Sequence, residues 1–228
     1  MNFLSANIFK SRLWSLPLIA FASTSGLLAA CSPSPESQAA SPAPTQPTNA
    51  TKMPGMDHGM SMDLGPADAD FDLRFIDAMT PHHQGAVVMA QEAQQKSDRP
   101  EIKKLAMDII KAQDQEIAQM QQWRTTWYPK VGSTPMAYSP QMGHMMAMSA
   151  EQKQGMMMSQ NLGTADANFD LRFINAMIPH HESAVVMGRD ALSKSKRSEI
   201  KQLGQAIVTS QQAEIQQMQQ WRQAWYKK

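Results

Sequence analysis

The chain has 228 residues, enough for one or two domains with a hydrophobic core. Its 21 Lys and Arg nearly balance its 20 Asp and Glu, which argues against a nucleic-acid binder or a strongly basic membrane surface. A single cysteine excludes an internal disulfide framework, a cysteine-based zinc site and a CxxC redox centre, whereas 20 methionines against 7 phenylalanines are unusual.

Residues 1–30 read as a secretory signal, because Lys10 and Arg12 lead into a mostly apolar, small-residue run from Leu13 to Ala30. The ending Leu28-Ala29-Ala30-Cys31 resembles a bacterial lipobox, whose cysteine is lipidated after cleavage. The alternative is ordinary cleavage near Ala30, with Cys31 incidental. Both imply export to the periplasm, with membrane contact only through a lipid on Cys31. No later stretch is apolar for long enough to span a bilayer. Residues 31–64 read as a tether and tail. Ser, Pro, Ala and Thr dominate 32–52, a composition that stays flexible. An irregular Gly- and Pro-containing segment follows, carrying Met53, Met56, His58, Met60 and Met62.

The rest is a duplication. FDLRFIDAMTPHHQGAVVMA at 71–90 returns as FDLRFINAMIPHHESAVVMG at 169–188, and EIAQMQQWRTTWY at 116–128 as EIQQMQQWRQAWY at 214–226. The offset is 98 residues without a gap, and units 65–128 and 163–226 are identical at 39 of 64 positions. Each unit reads as a supersecondary element whose apolar face is covered by the other. In the first, Asp68 or Asp70 is the predicted N-cap. Phe71, Phe75, Ala78/Met79, His82, Ala86 and Met89 then recur at helical spacing. Pro81 removes one backbone hydrogen bond and predicts a kink before His82. Ser97-Asp98-Arg99-Pro100 is a turn. A second helix from about Pro100 to Tyr128 carries Ile102, Leu105/Ala106, Ile109, Gln113, Glu116/Ile117, Met120, Trp123 and Trp127. No strand signal competes. The expected fold is all-α: a four-helix bundle of two duplicated antiparallel hairpins, at 65–128 and 163–228, with a Met-rich irregular tail and linker.

The linker, 129–162, opens on Pro129 and holds Met136, Met142, His144, Met145, Met146, Met148 and Met156-Met157-Met158. A short helix is predicted within Ala150–Gln160, and loop elsewhere. A connection this long is functional or disordered.

Constant helical rise puts positions summing to about 196 side by side in the first hairpin. His83 then lies level with Gln113, and Met79 within a turn of Glu116 and Met120. The second hairpin repeats this with Met177, His180, His181, Gln211, Glu214 and Met218. Adjacent histidines differ by about 100° around a helix, so only one of each pair is expected to point fully inward, His82 in the first. Such a polar layer needs partners. Two readings stay open for it: a satisfied hydrogen-bond network with methionine as filler, or a metal site. The loop methionines favour the second. Met56, His58 and Met60, and Met142, His144, Met145 and Met148, mix thioether with imidazole where core packing does not require either. Soft sulfur selects copper(I), for which silver(I) is a mimic, and imidazole also binds copper. Outside the cytoplasm thiols oxidise, leaving thioether as the practical soft donor. The Trp/Tyr end of each hairpin reads as a structural cap, with cation–π packing by Arg124 or Arg222.

The run Met-x-Pro-His-His-x-x-Ala-x-x-Met at 79–89 and 177–187, followed by Glu-Ile-x-x-Met-x-x-Trp, resembles the bacterial CopM-like copper-binding family (DUF305). The resemblance covers both units. It implies a helical bundle, export, and copper(I) binding in copper resistance. It also implies the ligands Met79, His82, His83, Met89, Glu116 and Met120, with Met177, His180, His181, Met187, Glu214 and Met218. A non-enzymatic chaperone, scavenger or buffer is expected, with an envelope copper exporter or sensor as partner and no nucleic acid. The competing expectations are a ferritin-like or cuprous-oxidase redox enzyme, and a structural interaction bundle. Glu-x-x-His pairs for a di-iron centre are absent from the sequence.

Overall fold

The computed structural model describes residues 63–228. The signal segment, Cys31, the tether and the tail donors Met56, His58 and Met60 lie outside them. Four long helices form the two expected hairpins: α1 (Phe71–Lys96) with α2 (Pro100–Trp127), and α4 (Phe169–Lys194) with α5 (Ser198–Tyr226). Among the described residues, no helix is long and apolar enough to cross a membrane.

The hairpin turns form where the sequence places them. Ser97 Oγ accepts the Arg99 N–H at 3.1 Å, and Ser195 Oγ accepts that of Arg197 at 3.0 Å. Pro100 then starts α2, where its missing N–H costs nothing. Pro81 lies inside an α1 that continues on both sides of it. Asp70 stands at the N-cap of α1 but makes no side-chain cap; Asp68 accepts the Asp70 N–H instead, at 2.9 Å. The packed chain reaches back to Leu64, held because the buried Arg74 donates to its carbonyl at 2.6 Å. Arg172 repeats this with Leu162, also at 2.6 Å.

The helices α1 and α4 pack against each other at the centre, with α2 and α5 as their outer partners. Both run antiparallel, so the turn of one hairpin meets the aromatic end of the other. Arg99 lies 4.2 Å from the Trp225 ring, and Arg197 lies 4.2 Å from the Trp127 ring. The cation–π partners are therefore Arg99 and Arg197 rather than Arg124 and Arg222. The two hairpin arginines have other work: Arg124 pairs with the buried Asp77, and Arg222 reaches Asn175. Two apolar cores result, and each draws side chains from both hairpins.

The linker corrects the sequence reading. It is ordered, with a β-hairpin of β1 (Met136–Ser139) and β2 (His144–Ala147), then α3 (Ala150–Met157). The strands pair antiparallel, Met136 opposite Ala147 and Ser139 opposite His144. Gly143, at φ 70°, supplies the left-handed turn residue. Asp77 takes the Met136 N–H at 2.8 Å, which ties β1 to α1. A capping box of Ser149 and Gln152 starts α3. Both pieces pack on α1, so the linker breaks the symmetry of the duplication.

Candidate metal centre

All four bundle histidines are buried, at 0–1% exposure. The expectation that only one of each pair would point fully inward fails for a geometric reason: α1 and α4 are central helices with neighbours on more than one side. His83 faces its own hairpin partner, and its Nε2 donates to Glu116 at 2.7 Å. His181 donates to Glu214 at the same distance. A carboxylate only accepts, so these bonds assign the proton to Nε2. His82 and His180 face each other across the hairpin junction, their ring centroids 3.9 Å apart. The Nδ1 of all four rings has no partner.

The junction pair is asymmetric. His82 Nε2 lies 2.6 Å from Ser183 Oγ. The counterpart of Ser183 in the first unit is Gly85, so His180 lacks an equivalent hydroxyl. Its Nε2 instead donates to the Met157 carbonyl, at 3.1 Å, at the end of α3. Glycine is required there, because a Cβ at Gly85 would lie 1.7 Å from that carbonyl oxygen. Burial, reinforced by the neighbouring His181, pushes the His180 imidazole down to about 3. Burial also holds His82 well below the usual imidazole range, with His180 the next cause. Both rings are thus held neutral, the form that ligates a metal.

The methionines group differently from the sequence sets. Met79 and Met89 are ten residues apart, about 15 Å along the axis, too far to share one ion. The core containing Met79 and Met120 takes its third buried methionine, Met187, from the second unit. The core containing Met177 and Met218 takes Met89 from the first. Each core therefore combines two buried methionines of one hairpin with one from the other. Among the described residues, no three His, Cys, Asp or Glu side chains converge to hold an ion. A site in this layer would draw further donors from other groups, thioether sulfur among them.

The linker donors do not form one cluster. His144 and Met145 are adjacent on β2 and so point to opposite faces. Met142 is 60% exposed near the hairpin turn, and His144 Nδ1 donates to the Met145 carbonyl at 2.9 Å. Met148 is buried, and with Met156 it lines a cavity of about 310 Å³ beneath the β-hairpin. Met148 was expected in a free loop and instead packs. Sequence reasoning missed Ser183, the Met157 carbonyl and Met158. The available signal was the mismatch of Gly85 with Ser183 and of Asp77 with Asn175, inside an otherwise near-identical run.

The sequence model of DUF305, a domain of unknown function, matches residues 21–124 and 72–222. Solved structures of CopM are similar to this chain, each covering 68% of it and 97% of CopM. The Cu(II)-bound form is 41% identical with a TM-score of 0.55, and the Cu(I)-bound form 40% with 0.53. The silver-bound form obtained by co-crystallisation is 41% identical with a TM-score of 0.54. Uncharacterized protein L153 of Acanthamoeba polyphaga mimivirus is 43% identical over 49 residues, 22% of this chain and 32% of that protein. The chain therefore spans about a third of that relative's length.

Proposed function

Because this chain belongs to the DUF305 family of CopM-like proteins, we propose that it is an exported copper(I)-binding protein that buffers, scavenges or hands on the ion in copper resistance. Silver(I) is the expected mimic. The observation that carries this reading is the buried layer of four imidazoles with unpartnered Nδ1 atoms, in a bundle whose two cores bury Met79, Met120 and Met187 in one and Met177, Met218 and Met89 in the other. An unmet buried polar atom costs about 1–3 kcal/mol, so four of them in one layer call for an explanation. A soft cation offsets that cost, since each Nδ1 is a lone pair on a neutral ring.

The chemistry of the donors sets the preference. Thioether is soft and uncharged, and combined with imidazole it favours copper(I) over zinc(II). Glu116 and Glu214 orient His83 and His181 and strengthen them as donors, as outer partners of a ligand ring do. We read the chain as a binder rather than an enzyme, because the similar structures are of CopM with copper or silver bound. The exposed Met142 and Met146 on the linker suit capture at the surface. Export follows from the signal-like start, and an envelope exporter or sensor is the natural recipient of the ion.

Anaerobic copper(I) titration against a competing chelator tests this, with zinc(II) as control. At least one copper(I) per chain, held in preference to zinc(II), is expected. Less than one, or a preference for zinc(II), contradicts it.

A further inference from the structure

The linker closes over the junction between the hairpins, and it brings a donor with it. Met158 follows α3 in the left-handed conformation, at φ 47° and ψ 20°, an uncommon one for a side chain of this size. This turns its thioether back toward α4, where Met158 Sδ lies 3.4 Å from Ser183 Oγ. The same hydroxyl lies 2.6 Å from His82 Nε2. A soft sulfur and an imidazole nitrogen therefore converge on one small, uncharged group. From this position the hydroxyl also lies 2.6 Å from the His180 carbonyl, and rotation about χ1 carries a serine hydroxyl to another staggered position. Met158 is partly exposed while His82 is fully buried, so the pair joins the surface to the layer.

We propose that Met158 and His82 form a soft-metal site at the hairpin junction, in which the ion takes the place of the Ser183 hydroxyl between them. This rests on the copper(I) reading and adds a ligand outside the repeated motif. The His82 proton shifts from Nε2 to Nδ1, so its Nε2 lone pair faces the ion and the ring stays neutral. The Ser183 side chain rotates about χ1 to another staggered position, which clears the space between nitrogen and sulfur. Two-coordinate nitrogen–sulfur binding suits a monovalent soft ion and excludes zinc(II), which takes four ligands. The site occurs once, because the duplicate position is Gly85 and the linker passes over the junction once. Its position, partly exposed on the Met158 side, makes it the point at which an ion enters the buried layer.

The test is silver(I) titration of the full chain labelled with 13C at the methionine methyl groups, followed by NMR. The Met158 methyl is expected to shift within the first equivalents. Met158→Leu, which keeps the apolar volume and removes the sulfur, should lose one silver(I) per chain and bind the remainder unchanged. A Met158 methyl that stays in place at saturation, while other methionine methyls move, overturns the junction site and leaves the broader copper reading standing. If no methionine methyl moves, both fall. The wild-type methyl shift decides the matter even if the substitution unfolds the chain.

Discussion

At the residue scale, the histidine layer couples metal chemistry to acid sensitivity. His180 and His82 titrate below an unfolded histidine, so between the folded and unfolded values the unfolded chain binds more protons. Their contribution to stability is fully present above about pH 6.5 and is lost as pH falls toward the folded values. The metal-free chain should therefore lose up to about 1.4 kcal/mol per pH unit for each of these rings as pH falls below 6. Urea midpoints measured from pH 7 to pH 5 check this, and a midpoint that stays flat over that range rules it out. The sequence identified all four histidines but not their orientation. A helix with one buried stripe admits only one of two adjacent residues, and nothing in the 71–90 run says that α1 has neighbours on several sides. Ser183 was equally hidden, because its partner His82 lies in the other unit, 101 residues away.

At the element scale, the long helices were legible because their apolar spacing extends over seven turns or so, ample to establish a period. The strands β1 and β2 were not, since four residues each give too short an alternation to register. What holds them is tertiary: the Asp77 carboxylate binds both Arg124 and the Met136 N–H. Asp77→Asn makes the first hairpin resemble the second, where Asn175 faces Arg222 and no linker docks on it. We expect a loss of about 1–3 kcal/mol, the cost of a damaged buried polar contact, since Asn can still accept one bond. Hydrogen exchange at the Met136 amide should accelerate while α5 stays protected. Unchanged exchange at Met136 would mean that Asp77 does not anchor the linker.

At the scale of the whole molecule, the duplication does more than build a symmetric bundle. Each unit lends one buried methionine to the other's core, and the linker alone removes the symmetry by docking at Gly85 and Asp77. The overall bundle was readable from the repeat, because two apolar faces of one design have few ways to cover each other. The exchange of Met89 and Met187 was not, since it depends on how α1 crosses α4 and no local spacing encodes that crossing. The central claim is that this shared layer holds a soft ion through both nitrogen and sulfur. X-ray absorption at the copper edge tests it most directly, on the chain carrying His58→Gln and His144→Gln so that only the four bundle imidazoles remain. With one equivalent of copper(I), a mixed shell of imidazole nitrogen and thioether sulfur is expected. A shell of sulfur alone, or of nitrogen and oxygen without sulfur, would contradict it.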